Sequence, residues 1–353
     1  MEKTFIMNKK TIITVMFALV AMTGQSQENN YTIHGDFSEI IEIVSKNGLV
    51  FDSVTIVNPE TFEKVARQDI ANGEFTVHGT VEKPYYAQLN IWGTGEVNGE
   101  KRRTNHRIPI IIEPGNIEFN ANARIPNASG TPLNNVVSEA TTKDKTPDFV
   151  KTVKELVLLH KDDVAAVPLL LLLNDNMAEP DSTLLSLINQ CGEDVQRHRH
   201  IVGIKATAEL LLSRLNVGDM FKDFAVEYDG QQQRLSDYVG RGQYVLVDFW
   251  ASWCKPCLRE MPVVVEAYNK YKGKGLQVVG VACNDVPEQS VKFIREQAVP
   301  YPQIFNVGFS EMEVYGIITI PETILFAPDG TIVARGLRGE DIEQKLAEIF
   351  DNK

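Results

Sequence analysis

The stretch Asp248-Phe-Trp-Ala-Ser-Trp-Cys-Lys-Pro-Cys257 constrains the fold of this chain more than any other. The apolar run Tyr244–Trp250 reads as a buried strand that ends in a turn, and residues 258–272 carry apolar side chains at helical spacing. A strand therefore feeds a helix, with Cys254 at or beside the helix N-terminus. Unpaired backbone N–H groups and the positive end of the helix dipole stabilise a thiolate there, and the thiolate is the form that attacks disulfides. Lys255 adds a positive charge beside it, and Pro256 suits the first helical turn, where a missing N–H costs nothing. The expected division of labour is an exposed, attacking Cys254 and a more buried, resolving Cys257, linked through a mixed disulfide.

Other uses of the pair fit less well. Tetrahedral zinc needs further Cys or His ligands, and Cys191 and Cys283 stand alone and far apart in sequence. No metal is expected, and no cofactor beyond a redox-active Cys254–Cys257 disulfide. Cys191 and Cys283 are read as buried free thiols, the alternative being a disulfide that joins them. Asp248 is the unusual residue of its strand, because a buried carboxylate is costly unless hydrogen-bonded or protonated. A proton-relay role would account for it.

At 353 residues the chain exceeds what one core usually organises. Its formal charge of −12, with no Lys/Arg cluster, argues against a nucleic-acid partner. Lys9 and Lys10 precede residues 11–22, an uncharged and largely apolar stretch followed by small and polar residues. That layout is a secretory signal, predicted over residues 1–26. The stretch is shorter than the roughly 20 residues that span a bilayer as a helix. The expectation is an exported, periplasmic protein, tethered to the membrane if the signal stays uncleaved.

Strand-like segments at 54–57, 74–78, 86–91 and 108–112 are separated by turn signals at Asn47-Gly48, Asn72-Gly73, Asn98-Gly99 and Pro114-Gly115. They predict an all-β N-terminal domain over 27–128, a sandwich or small barrel. Residues 129–216 read as a helical connecting region, with Phe149, Val153, Leu156 and Val157 on one face and Asp181 as a cap. From 217 to 353 strands at 224–228, 244–250, 276–283, 323–326 and 331–334 alternate with helical stretches, which predicts an α/β domain.

Residues 217–353 resemble a thioredoxin-fold domain of the TlpA/ResA kind, exported bacterial thiol–disulfide oxidoreductases. The resemblance runs through Val217-Gly-Asp219, the Trp253-Cys-Lys-Pro-Cys257 stretch, Leu258-Arg-Glu-Met-Pro262, 316–324 and Pro328-Asp-Gly330. It implies that Pro321 is a cis-proline beside the cysteine pair. The backbone at Ile320 then pairs with an extended substrate segment, and Trp253, Lys255 and Pro256 border the same site. It also places Glu260 at an active-site carboxylate position that helps proton transfer, and Asp248 where thioredoxins keep a buried acid. Glu322 departs from the small hydroxyl residue usual after this proline, and an acid there is expected to raise the Cys254 pKa slightly. Residues 31–135 resemble, more loosely, an all-β domain of unknown function that precedes such domains, which implies no chemistry.

The function expected is reduction of disulfide-containing protein substrates by dithiol exchange, with a membrane thiol electron donor restoring the pair. Alternatives are a disulfide isomerase, working as a homodimer through the N-terminal domain, and a binding or assembly protein with an accessory redox domain.

Overall fold

The computed structural model describes residues 29–46, 48–97, 99–121, 125–177 and 182–351. The expected signal segment and the Asp181 cap lie outside the described residues. The chain divides into two compact units, residues 1–138 and 139–353. The expected domain boundary at 128 lies ten residues before this division, and residues 139–216 of the helical region share a unit with the α/β domain.

In the N-terminal unit, strands β1 (Asn30–Asp36), β2 (Leu49–Val57), β3 (Lys64–Asp69), β4 (Glu74–Thr80), β5 (Tyr85–Val97), β6 (Glu100–Ile112), β7 (Gly115–Asn120) and β8 (Asn127–Ser129) form two four-stranded sheets. Their orders are β4-β1-β7-β8 and β3-β2-β5-β6. Alternation puts Ile33, Val77, Ile117 and Phe119 of one sheet, and Val54, Ile56, Leu89 and Ile110 of the other, in a single core. Phe37 sits at its centre, its ring against Phe51, Phe75 and Phe119. At the Asn72-Gly73 turn both residues have positive φ, 54° and 86°, and Ala71 and Glu74 exchange backbone hydrogen bonds. The strands on either side then part into different sheets. A helix, Ser38–Lys46, interrupts the all-β pattern. The Asp36 carboxylate accepts from the Ser38 N–H at 2.7 Å as the chain enters it.

The second unit begins with helices that include Phe149–Leu159, Ala166–Asp175, Ser182–Gln190 and Arg199–Ser213. Phe149, Val153 and Val157 are buried together on their helix, and Leu156 is half-buried. The apolar run at 164–173 is largely a buried helix, and no described helix is long and apolar enough to cross a membrane.

Beyond these helices come the hairpin β9 (Ala225–Tyr228) and β10 (Gln231–Arg234), then β11 (Tyr244–Trp250), β12 (Leu276–Cys283), β13 (Gln303–Val307), β14 (Glu322–Phe326) and β15 (Ile332–Arg335). The last five form one sheet in the order β13-β12-β11-β14-β15. β11 pairs in parallel with β12 and antiparallel with β14, so it is central. Its residues alternate between two cores. Val245, Val247 and Phe249 pack with Val279, Val281, Ile324 and Phe326. Leu246 packs on the other face with Val264 and Ala267 of the long helix Lys255–Tyr271, and with Leu346 of the final helix Glu340–Phe350. The edge strand β13 was not legible in the sequence, because its five residues include the polar Gln303 and Asn306.

Candidate active site

The end of β11 delivers the chain to Cys254, which is the N-cap of Lys255–Tyr271 in extended conformation (φ −83°, ψ 91°). A disulfide joins Cys254 to Cys257, with 5.3 Å between their Cα atoms. The Cys254 Sγ accepts from the Cys257 backbone N–H at 3.2 Å, one of the donors that a helix start leaves without an intrahelical partner. Lys255 and Pro256 are exposed at the helix start, and Trp253 stands 60% exposed beside it. Cys254 itself is only 4% exposed, where the sequence led us to expect an exposed attacking residue. The cause is packing, because both cysteines join Trp250, Ala251, Met261 and Ala282 in one small apolar cluster flanked by Ile320.

Across from the pair, the Ile320–Pro321 peptide bond is cis. The Ile320 carbonyl oxygen lies 3.8 Å from the Cys254 Sγ. The structure thus brings Cys254, Cys257, Ile320 and Pro321 to one spot from segments more than sixty residues apart.

Asp248, on β11, and Glu260, on the active-site helix, interact electrostatically with each other. Asp248 is 2% exposed and lies between Leu246 and Trp250 on the face of β11 that the active-site helix covers. Burial pushes its carboxyl up to about 7. The Arg338 guanidinium acts against that shift, and the Glu260 carboxylate adds to it. Glu260, half-buried on the helix, accepts from the Gly339 N–H at 2.5 Å.

Three residues that the sequence did not single out hold this geometry. Asp285, just after β12, accepts from the Ser252 N–H at 2.6 Å, from the Ser252 hydroxyl at 3.0 Å, from the Val286 N–H at 2.8 Å and from the Ser290 hydroxyl at 2.6 Å. It fixes the loop before the cysteines, and Trp253 Nε1–H donates to the neighbouring Asn284 carbonyl at 3.0 Å. Gln303 accepts from Trp250 Nε1–H at 3.0 Å, and its amide fills the space over Gly280. Arg338 donates to the Pro321 carbonyl and lies 3.8 Å from Glu322. The available signal was an aspartate next to a Ser- and Pro-containing helix start; Arg338 and Gln303 offer none.

Glu322 sits between Arg335, at 3.4 Å, and Arg338, and these cations offset its charge. Neither Cys191 nor Cys283 forms a disulfide, and both are buried. Burial pushes the Cys191 thiol up to about 11 and raises that of Cys283.

A five-stranded sheet with a disulfide at the helix start after its central strand, and a cis-proline against that disulfide, defines a thioredoxin-fold thiol–disulfide oxidoreductase. The comparisons with known proteins agree. The AhpC/TSA family profile matches residues 217–335, and a domain of unknown function (DUF4369) matches residues 31–137. The thiol-disulfide oxidoreductase ResA of Geobacillus kaustophilus is 35% identical over 138 residues, 38% of this chain and 78% of that protein. ResA of Geobacillus thermodenitrificans is 32% identical over 137 residues, 38% of this chain and 78% of that protein. The thioredoxin domain of a thiol-disulfide oxidoreductase from Bacteroides vulgatus, a solved structure, is 31% identical over 38% of this chain and 99% of that domain, with a TM-score of 0.35. The chain belongs to the ResA-like thiol–disulfide oxidoreductases, with a DUF4369 domain ahead of its catalytic domain.

Proposed function

We propose that this oxidoreductase is an exported, periplasmic reductant of protein disulfides. The observation that carries the reading is the position of Cys254, capping a helix with its Sγ beside the Ile320 carbonyl and the cis-proline. An extended substrate segment alongside Ile320 would bring its disulfide to that sulfur by strand addition.

In the reduced pair, the Cys254 thiolate attacks one substrate sulfur. The other substrate sulfur leaves as a thiolate, and a mixed disulfide forms. Cys257 then loses its proton and attacks Cys254 Sγ, releasing the second substrate thiolate and closing the Cys254–Cys257 disulfide. Two electrons pass to the substrate. Asp248, buried on the strand face beneath the helix and titrating near neutrality, takes the Cys257 proton, with Glu260 passing it outward. A dithiol electron donor at the membrane must restore the pair, because no step above regenerates it. Export rests on the basic, apolar and small-residue pattern of residues 1–26.

The test is reduction of a protein disulfide by the full chain under turnover with a small dithiol. Cys254→Ser is expected to abolish turnover, and Cys257→Ser, reduced and then freed of dithiol before substrate is added, to accumulate a mixed disulfide visible by mass and cleaved by reductant. Turnover that survives Cys254→Ser would remove the reading. Fractionation of cells expressing the chain checks export, and unprocessed protein in the cytoplasm would contradict it.

A further inference from the structure

One four-residue loop, Gly336-Leu-Arg-Gly339, bonds to Thr323 opposite Asp248, to Glu260 and to the cis-proline Pro321. The Gly336 N–H donates to the Thr323 carbonyl at 2.8 Å, and the Thr323 hydroxyl donates to the Leu337 carbonyl at 2.8 Å. Thr323 is the residue opposite Asp248 in the β11–β14 register, so the loop is pinned beside the buried acid. The Gly339 N–H holds Glu260. Between them, Arg338 donates through Nη1 to its neighbour's carbonyl, Leu337, at 3.0 Å and through Nη2 to the carbonyl of Pro321.

From these contacts we infer that Arg338 is a positioning residue for thiol–disulfide exchange. Its fork holds the carbonyl of Pro321, the residue after the Ile320 carbonyl that faces Cys254, and its charge acts on the buried Asp248. The inference rests on the proposed role of Asp248.

The charge arithmetic favours Arg338 for this task. The charged groups acting on Asp248 are Glu260 from the active-site helix and Arg338 from the loop, and Asp248 in turn raises Cys283 of β12 and Tyr301 ahead of β13. Arg338 is the cation of the two and favours the carboxylate, which Glu260 opposes. Its side chain is 34% exposed, which leaves its charge partly shielded from water. Arg335 stays on Glu322 when Arg338 is removed, so the loss is not dominated by a newly lone Glu322. A planar guanidinium can reach two carbonyls at once, and a lysine ammonium on its single stem cannot reproduce that fork.

The experiment mixes the reduced full chain with a small aromatic disulfide in single turnover, from pH 5 to 9, and follows release of the second aromatic thiolate, which reports the attack of Cys257 on the mixed disulfide. Asp248→Asn identifies the inflection that belongs to Asp248 by removing it. In Arg338→Gln that inflection should move up by about one pH unit, and in Arg338→Lys it should stay near the wild-type position. Lysine should instead raise KM for a protein substrate, because the fork on Pro321 is lost. Arg338→Gln in the Asp248→Asn background should shift nothing further. An inflection that Asp248→Asn removes but Arg338→Gln leaves in place overturns this inference alone. A profile unaltered by Asp248→Asn overturns it together with the role given to Asp248. Should Arg338→Gln fail to fold, Arg338→Met supplies the uncharged comparison.

Discussion

At the scale of single residues, Asp248 carries the largest conflict between stability and function. Its carboxyl is pushed up to about 7 by burial, against an unfolded value of about 3.9. Between these values the folded chain binds more protons than the unfolded one, so stability falls as pH rises from about 4 to about 7. A gap of about 3 units corresponds to a loss of up to ~4 kcal/mol. Asp248→Asn should remove this slope and be more stable than wild type at pH 8, with little difference at pH 4. Denaturant unfolding of the disulfide form at both pH values checks it, and equal stability at pH 8 would contradict the burial of a charge at that position. The same variant should slow disulfide exchange near neutral pH, because Cys257 loses the group that takes its proton. Cys283 predicts the opposite pattern. It is fully buried among Val279, Val281 and Ile304, so Cys283→Ser should cost about 1–3 kcal/mol while leaving the potential of the Cys254–Cys257 pair unchanged.

At the scale of elements, the active-site loop depends on a side chain from the neighbouring strand's end. Asp285→Ala leaves the Ser252 and Val286 N–H groups and two hydroxyls without their acceptor, and should cost about 2–4 kcal/mol. Trp253 fluorescence should report a loosened loop, and a variant as stable as wild type would show the loop held by other contacts. The strand, the cysteine pair and the helix were legible because each is written in a continuous stretch, a seven-residue apolar run and then helical spacing. Cis-Pro321 was legible only through resemblance, since nothing in Ile-Pro-Glu distinguishes cis from trans. Asp285 and Arg338 act across 33 and 17 residues on backbone groups, and a backbone partner leaves no residue type to recognise. The helix Ser38–Lys46 was missed for a different reason, because its Ile- and Val-rich sequence also suits a strand.

At the scale of the whole molecule, the helical region belongs with the catalytic domain. Arg335 donates to the Leu215 carbonyl, Leu215 packs in the core of the sheet, and a side chain at Gly316 would meet Arg214. A fragment starting at residue 139 should therefore keep the activity and stability of the unit. One starting at residue 217 should keep activity but unfold at a lower temperature, since it loses Leu215 from the core. Equal melting temperatures would show that the helices contribute nothing to the fold around the site.

The reduction potential of the Cys254–Cys257 pair decides whether it works as a reductant. The full chain would be equilibrated in thiol buffers of defined potential and the pair's oxidised fraction read by mass, with buried Cys191 and Cys283 counted separately. The account predicts a value at or below about −250 mV, near that of thioredoxin. A value between about −180 and −120 mV would contradict it, and would mark the pair as a donor of disulfides instead.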